Sequence, residues 1–187
     1  MEKQAIFRQW MNEHADALYR YVLRCLQDES LCKDMLQETF LAAWRNMDKY
    51  RGEASVKNWL FVILKSKITD HVRKEHGKAT MQAVSLEQND NTFFDEQDHW
   101  RKGMYPKQWT VDFNNTVETK EFYKVFRSCS SKLKVLQNTV FVMKYVDGME
   151  SEQICEELSL SSANYWVLIH RAKVQLRACL EKNWIEK

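Results

Sequence analysis

Apolar side chains recur at every third or fourth position along most of the chain, which is the spacing of one face of an α-helix. In the first half, this spacing predicts three helices, over residues 6–27, 30–50 and 55–77. In the second half, it predicts four more, over residues 118–130, 135–146, 151–158 and 162–182. Ser30 and Ser55 are suitable helix caps, and Gly52, Gly77 and Gly148 follow predicted helix ends. The pattern therefore predicts two groups of helices.

The second predicted helix carries two different faces. Its apolar face consists of Leu31, Met35, Leu36, Phe40, Ala43, Trp44 and Met47. The other face repeats at the same helical spacing but is mostly polar, and consists of Asp34, Gln37, Glu38, Leu41, Arg45 and Asp48. We expect the apolar face to enter the core, and the polar face is either a docking surface or simply solvated.

The chain between the two groups of helices has no helical repeat. Residues 85–99 contain five acidic side chains and no basic one, and the irregular pattern continues to about Asn115. A connection of this length is uncommon inside one compact domain. We therefore expect a domain at residues 1–78, a linker at 79–117 and a second domain at 118–187. The aromatic residues of the linker argue against full solvation, so we expect it to be extended and partly docked.

Composition narrows the fold class. The 187 residues include four Gly and one Pro, well below ordinary usage, whereas sandwiches, hairpin barrels and Rossmann sheets need both residues for tight turns. The predicted fold class is therefore all-α, with two small helical domains joined by an extended acidic linker. The net charge of +2 is the sum of two mildly basic domains and an acidic linker, and this pattern is weak evidence for a nucleic-acid partner.

The sequence also argues against membrane, secreted and metal-binding classes. Its apolar runs are far shorter than the about 20 residues that a bilayer span needs, and its first residues contain no apolar signal segment. The five cysteines are odd in number and never spaced C-x-x-C, so we expect small buried thiols rather than a disulfide framework or a zinc site. We expect a cytoplasmic protein that is not inserted into a membrane.

The last two predicted helices have the dimensions of a helix-turn-helix: a short helix, a three-residue turn and a longer helix. The residues expected to pack these helices together are Ile154, Leu158, Leu160, Tyr165 and Ile169. Ser161 is expected to cap the longer helix. The side chains expected to point outward are Ser162, Asn164, Trp166, His170, Arg171 and Lys173. The spacing alone fits any small helical hairpin equally well.

Three stretches resemble the sigma-70 family of bacterial RNA polymerase sigma factors. Residues 34–51, DMLQETFLAAWRNMDKYR, resemble region 2.2 of that family, in which D-x-x-Q-E-T-F-x-x-x-W recurs. The next stretch, GEASVKNWLFVILKSKITDHVRK, resembles regions 2.3–2.4, and residues 133–181 are similar to region 4. The stretches follow the family's order, and the chain lacks room for regions 1.1 and 3. The sequence is thus most similar to the two-domain extracytoplasmic-function subfamily, group IV.

This resemblance implies a transcription initiation factor that binds core RNA polymerase and directs it to promoters. The domain at 1–78 would be region 2, and the domain at 118–187 would be region 4. The family's surface for the clamp coiled coil of the largest polymerase subunit corresponds to Asp34, Gln37, Glu38, Leu41 and Arg45. An anti-sigma factor is implied as a further partner, although the sequence identifies none.

The resemblance also implies DNA melting, and the sequence has no G-x-x-x-x-G-K-[ST] phosphate loop for nucleotide hydrolysis. Unstacking a base costs a few kcal/mol, and stacking on an aromatic side chain returns about 1–3 kcal/mol per base. Binding to the −10 element, including the flipped nontemplate strand and its phosphates, is assigned to Arg51, Ser55, Lys57, Asn58, Trp59, Lys65, Arg73 and Lys74. Trp59 fits a place in the core almost equally well.

Binding to the −35 duplex is assigned to Ser161, Ser162, Asn164, Trp166, His170, Arg171 and Lys173. The recognition helix departs from the family pattern, since this chain has N-Y-W-V-L where many members have T-V-K-S-R. Direct hydrogen bonding to bases is then left to Asn164, His170 and Arg171. We expect Trp166 to meet thymine methyl groups and DNA shape to carry more of the specificity.

Two other classes of function stay open at this stage. A stand-alone helix-turn-helix regulator would bind DNA by itself, but it leaves residues 31–77 unexplained. An all-α enzyme or a protein-interaction module is the third possibility. The sequence shows no paired His–carboxylate cluster, metal-ligand spacing or nucleophile motif, so we expect no catalytic residues, no metal and no cofactor.

Overall fold

The computed structural model describes residues 2–81, 102 and 116–185. Within these ranges the chain forms seven α-helices and no strand, which confirms the all-α fold class. The helices are α1 (Glu2–Leu26), α2 (Glu29–Asn46), α3 (Val56–Met81), α4 (Thr116–Ser130), α5 (Val135–Tyr145), α6 (Ser151–Leu158) and α7 (Ser162–Leu180). A short 3₁₀ turn, Met47–Lys49, follows α2, and a π-helical turn, Glu181–Ile185, follows α7. Most of the predicted linker, with its predicted extended conformation, lies outside the described residues.

Helix α2 begins earlier than the sequence indicates, because its cap is a different residue. Gln27 has a left-handed conformation, with φ 60°, which turns the chain after α1. Asp28 is then extended, and its Oδ1 accepts a hydrogen bond from the backbone N of Leu31 at 2.9 Å. Asp and Ser are about equally good caps, so the turn at Gln27 selects Asp28. The prediction that Ser30 caps this helix was wrong.

Helix α3 continues through Gly77 to Met81, beyond the predicted end near His76 and Gly77. Gly52 and Gly148 have φ angles of 75° and 69° and lie in turns, whereas Gly77 has no positive φ. A glycine in helical conformation costs about 1 kcal/mol relative to alanine, but it ends a helix only when it adopts the left-handed conformation. Gly77 therefore weakens α3 without ending it.

The largest apolar cluster is continuous from the first group of helices into the second. Its fully buried members in the first group include Leu18, Val22, Leu60 and Leu64. Its buried members in the second group include Val140, Ile154, Leu158 and Tyr165. Helix α1 packs against α5, and α3 packs against both α5 and α6. The two groups of helices are therefore in direct contact in this structure.

A second, smaller apolar cluster joins α4 to α7. Its buried members are Phe122, Cys129, Leu133, Ala172, Leu176 and Leu180. This packing brings Cys129 next to Cys179, and the two form a disulfide. The expectation of buried thiols and no disulfide framework was wrong for this pair. Residues 50 positions apart give no local sign in the sequence that α4 and α7 bring them together. Cys25 and Cys32 are buried thiols, as predicted.

Candidate polymerase and nucleic-acid surfaces

The polar face of α2 lies on the surface of the helical bundle. Its five predicted docking residues are all exposed: Asp34, Gln37, Glu38, Leu41 and Arg45. The opposite face of the helix is buried, so the two faces predicted from the residue spacing are separate. Leu41 is 48% exposed among charged neighbours. An apolar centre with a polar rim is the usual anatomy of a protein-binding surface.

The loop before α3 is closed by local hydrogen bonds that leave its polar side chains outside. Gly52 supplies a left-handed residue in the turn, a conformation that glycine adopts without steric cost. The hydroxyl of Tyr50 donates to the carbonyl of Ala54, and Ser55 Oγ accepts from the backbone N of Asn58 at 3.2 Å. The predicted strand-binding residues of this segment are all exposed: Arg51, Ser55, Lys57 and Asn58.

Trp59 is half-buried in an aromatic cluster at one end of the bundle. Its ring centre lies 5.0 Å from that of Tyr50 and 6.1 Å from that of Trp10. Trp10 and Tyr50 also contact each other, with ring centres 5.5 Å apart. The structure gives Trp59 a packing role in this state, and its role in base capture stays a prediction.

The three basic side chains assigned to DNA phosphates along α3 have different surroundings. Arg73 and Lys74 are exposed, and Arg73 Nη2 lies 3.8 Å from Asp70 Oδ1. Lys65 is half-buried, and its Nζ lies 3.1 Å from Oδ2 of Asp147, in the turn after α5. Lys65, one of the predicted phosphate-binding residues, is therefore already paired with an acidic side chain from the second half of the protein.

Asp147 pairs with a predicted site residue, although the sequence shows it only as the neighbour of a turn glycine. Its side chain is 8% exposed, and the hydroxyl of Tyr21 donates to its Oδ2 at 2.5 Å. Burial, the neighbouring Cys25 and this hydrogen bond raise the pKa of Tyr21, so the phenol remains the donor. Burial and the charge of Asp147 raise the pKa of Cys25 to about 12, which keeps its thiol neutral. No local pattern predicts this cluster, since Asp147 and Tyr21 lie 126 residues apart.

The helix-turn-helix is present with the predicted packing. Helix α6 ends at Leu158, and the next residue, Ser159, is left-handed with φ 53°. Ser161 Oγ then accepts a hydrogen bond from the backbone N of Asn164 at 3.2 Å, so Ser161 caps α7 as predicted. The residues predicted to pack the two helices together are all buried: Ile154, Leu158, Leu160, Tyr165 and Ile169.

Helix α7 presents one exposed strip, at helical spacing, that contains Ser162, Trp166, His170 and Lys173. Trp166 is 58% exposed, and Lys173 Nζ lies 5.5 Å from the ring centre of Tyr145. Ser161 is also exposed, whereas Asn164 and Arg171 are half-buried. At 3.6 residues per turn, the half-buried Asn164 and Arg171 lie on the side of α7 opposite the strip, so the predicted −35 residues do not all share one side of the helix.

The fold and these faces define an all-α protein with a helix-turn-helix and a separate exposed polar helix. Two families match the chain where these features lie: Sigma-70 region 2 matches residues 10–77, and Sigma-70, region 4, matches residues 123–176. The first match contains the α2 face and the loop before α3, and the second contains the helix-turn-helix.

Individual proteins are similar over most of the chain. A "Probable RNA polymerase sigma factor" of Haemophilus influenzae is 34% identical over 152 residues, which cover 81% of this chain and 78% of that protein. The ECF RNA polymerase sigma factor SigM of Bacillus subtilis is 24% identical, over 92% of this chain and 91% of SigM. A solved structure of the Bartonella quintana sigma factor RpoE, in complex with the anti-sigma factor NepR, is 18% identical and covers 95% of this chain and 98% of that one, with a TM-score of 0.47.

The family matches and the Haemophilus relative establish which family this is. The chain belongs to the sigma-70 family of RNA polymerase sigma factors, in its extracytoplasmic-function subfamily. It is a transcription initiation factor. No helix among the described residues is long and apolar enough to cross a bilayer, and those residues contain no group of three acidic, His or Cys side chains suited to a metal ion.

Proposed function

We propose that this sigma factor binds core RNA polymerase through the exposed face of α2, recognises the −35 and −10 promoter elements, and nucleates DNA melting without nucleotide hydrolysis. The observation that carries the proposal is the presence of two separate exposed faces, on α2 and α7, each within its matched sigma-70 region. A factor that directs polymerase to DNA must hold both partners at once, and separate faces allow this.

The α2 face suits a charged helical partner such as the clamp coiled coil. Glu38 supplies a carboxylate, Arg45 a planar guanidinium that binds carboxylates in bidentate fashion, and Leu41 an apolar contact between them. Glu38 Oε2 lies 3.5 Å from Lys67 Nζ on α3. Exposed ion pairs of this kind contribute about 0–1 kcal/mol, so Glu38 can exchange Lys67 for a cation of the polymerase at little cost.

The loop from Arg51 to Lys57 and the start of α3 suit the nontemplate strand of the −10 element. The exposed Lys57 and Asn58 offer donors to phosphates and base edges. Since the chain has no phosphate loop, the free energy of strand separation has to come from binding the separated strand. Stacking of one base on Trp59 would supply about 1–3 kcal/mol of it, and would require the ring to loosen its contact with Tyr50.

The strip on α7 suits the major groove of the −35 element. Trp166 is the exposed large apolar side chain of the strip and fits an apolar contact with thymine methyl groups. His170 and Lys173 lie one and two turns further along the same side and can reach bases or phosphates. Because few donors lie on this face, we expect DNA shape to contribute more to specificity than hydrogen bonds do.

The stand-alone helix-turn-helix regulator is the alternative that the sequence leaves open. The match of residues 10–77 to sigma-70 region 2 gives the first three helices a role that this alternative lacks. An anti-sigma factor, the remaining predicted partner, is proposed from family membership alone. The proposed site of action is the bacterial cytoplasm, where polymerase and promoters are found.

Gel filtration with core RNA polymerase, followed by run-off transcription, tests the proposed function. The template is a promoter from a gene that overexpression of the protein induces, used as duplex and with the −10 element premelted. We expect the protein to co-elute with polymerase and to support transcription from both templates. A protein that does not co-elute, yet footprints duplex promoter DNA by itself, contradicts the proposal and supports the stand-alone regulator.

A further inference from the structure

A disulfide joins the end of α4 to the end of α7, through Cys129 and Cys179. The Cα atoms of the two residues lie 5.6 Å apart, within the ordinary range for such a link, so the helices need not move for it to form or break. The proposed site of action is the bacterial cytoplasm, where disulfides are usually transient and act in catalysis or redox sensing. We therefore expect a reversible link rather than a permanent one.

The two sulfur atoms of the link have different surroundings. Cys129 is 2% exposed, and its buried neighbours in the smaller cluster are all apolar, which disfavours a charged thiolate. Cys179 is half-buried, and its Sγ accepts hydrogen bonds from Lys132 Nζ at 3.7 Å and from Asn183 Nδ2 at 3.5 Å. A cation and a second donor favour the thiolate, which is the nucleophilic form of cysteine. The reduced pair would thus contain one reactive sulfur and one neutral thiol.

Local backbone contacts hold both donors beside Cys179. Lys132 lies in the tight turn after α4, where its backbone N donates to the carbonyl of Cys129 at 3.2 Å. Asn183 lies in the π-helical turn after α7, and its Nδ2 also donates to the carbonyl of Cys179 at 2.7 Å. Each donor is therefore fixed by a hydrogen bond to the backbone of one of the two cysteines.

The other three cysteines lie in surroundings that keep their thiols neutral. Burial is the main cause that raises the pKa of Cys25 to about 12 and that of Cys32 to about 11. Burial and the nearby charge of Glu152 raise the pKa of Cys155. We therefore expect these thiols to react slowly with oxidants, and the half-buried Cys155 is a suitable control for Cys179.

We infer that Cys129 and Cys179 form a reversible redox site for peroxides of the type ROOH, with Cys179 as the nucleophile and Cys129 as the resolving thiol. The Cys179 thiolate attacks a peroxide oxygen, so that an S–O bond forms, the O–O bond breaks and ROH leaves after taking up a proton. The Cys129 thiol then attacks the sulfenic sulfur, the S–S bond forms and water leaves. One peroxide is reduced and two thiols are oxidised. A dithiol reverses the change by thiol–disulfide exchange and is itself oxidised to a disulfide.

The redox site lies on the helix that carries the proposed −35 strip. Leu176 and Leu180 of α7 are buried in the same cluster as Cys129, and Trp184, just after α7, packs on Phe122 of α4 with ring centres 5.5 Å apart. The disulfide adds a covalent link to this packing and restricts the motion of α7 relative to α4. We therefore expect the oxidised protein to support more −35-dependent transcription than the reduced protein. This consequence rests on the proposed function.

Trapping of the sulfenic acid tests which cysteine reacts. The protein is reduced, then treated with hydrogen peroxide and dimedone, and its peptides are analysed by mass spectrometry. We expect Cys129→Ser to carry the adduct at Cys179, and Cys179→Ser to carry at most about a tenth as much at Cys129. The wild type and the control Cys155→Ser should instead form the link between residues 129 and 179, and dithiothreitol should restore both thiols.

Iodoacetamide labelling of the reduced wild type gives the same information without a cysteine substitution. We expect Cys179 to be alkylated at least tenfold faster than Cys129. Equal alkylation of the two cysteines, equal dimedone adducts at the two positions, or no link in the wild type after peroxide would refute the redox site. If a serine variant loses helicity by circular dichroism, the alkylation rates decide.

Lys132 is a positioning residue that acts through Cys179. Lys132→Met should slow peroxide-driven formation of the link at least threefold, because the cation that favours the thiolate is lost. Lys132→Arg retains the charge and should react within twofold of the wild type. Lys124→Met, at an exposed lysine of α4, is the matched control. Equal rates for Lys132→Met and Lys124→Met would overturn the activation of Cys179 by Lys132.

Run-off transcription with oxidised and with reduced protein tests the effect on the −35 face. We expect the oxidised protein to give at least twofold more transcript from promoters that need a −35 element, and Cys179→Ser to give the same amount after either treatment. Equal transcription by the oxidised and the reduced wild type would overturn the coupling to α7. The trapping experiment needs no polymerase, so failure of the protein to co-elute with polymerase would refute the proposed function and leave the reaction of Cys179 to be decided by trapping.

Discussion

The proposed binding faces of α2 and α3 differ in their exposure to solvent. The face of α2 from Asp34 to Arg45 is exposed along its length. On α3, Lys65 is held by Asp147 and Trp59 is packed among aromatic rings. The surface proposed for polymerase is therefore ready in the free protein, whereas part of the surface proposed for the melted strand is occupied. Under the proposed function, we therefore expect polymerase binding to precede strand capture.

The two apolar clusters differ in how they are held together. The large cluster contains Cys25 and Cys32 as buried thiols, and the pKa of each is raised by burial, so both stay neutral. The small cluster between α4 and α7 is braced by the disulfide of Cys129 and Cys179. The smaller cluster buries less apolar surface, so a covalent link contributes a larger share of its stability.

Reduction of the disulfide is expected to have the largest effect, because it should destabilise the small cluster and not the large one. A link that closes a loop of about 50 residues stabilises by ~4 kcal/mol in the chain-entropy treatment. Reductant should therefore increase hydrogen exchange in α4 and α7 far more than in α1 and α2. The matched controls are Cys179→Ser, which should not respond to reductant, and Cys155→Ser, which should respond like the wild type. Equal exchange with and without reductant would show that the link does not brace this cluster.

Charge reversal on the exposed α2 face comes next. Glu38→Lys should weaken binding to core polymerase by about 3 kcal/mol, or roughly 100-fold, as expected for a charged group at a protein interface. Helicity should be unchanged, because Glu38 is exposed. The matched control is Asp16→Lys on α1, also an exposed carboxylate. If Glu38→Lys assembles normally with core polymerase, the α2 face is not the surface that binds polymerase.

A variant of Trp59 tests whether this half-buried side chain of α3 takes part in DNA melting. Trp59→Leu should destabilise the protein by about 2 kcal/mol, less than the about 3–5 kcal/mol of a fully buried aromatic truncation. Base capture also predicts a drop in transcription from duplex promoters that a premelted template rescues. Trp10→Leu, in the same aromatic cluster, is the control for a pure packing role. If both variants lower transcription equally on both templates, Trp59 acts only in the core.

The smallest expected effect concerns α7. Arg171→Ala should weaken −35-dependent transcription by about 1 kcal/mol, the lower end of the range of about 1–3 kcal/mol for a base contact, because Arg171 is half-buried. Promoters should be compared with and without their −35 element in run-off assays. Unchanged transcription from the −35-dependent set would mean that another part of α7 faces the groove.

Local sequence patterns predicted the helices. They did not predict contacts between residues far apart in the chain, which depend on how the helices pack. The span of α6, the cap at Ser161 and the two faces of α2 follow from spacing and capping chemistry, which are local. The contact of Asp147 with Lys65 and the disulfide join residues far apart in the sequence. Such pairs are set by how whole helices pack, and helical spacing contains no information about which faces meet.

The most direct test of the proposed function is permanganate reactivity of thymines in the −10 element of a linear promoter. The reaction contains core polymerase and this protein, with no hydrolysable nucleotide. We predict reactive −10 thymines only when both proteins are present. Unreactive thymines in the assembled complex, or reactivity that requires ATP hydrolysis, would contradict melting driven by strand binding.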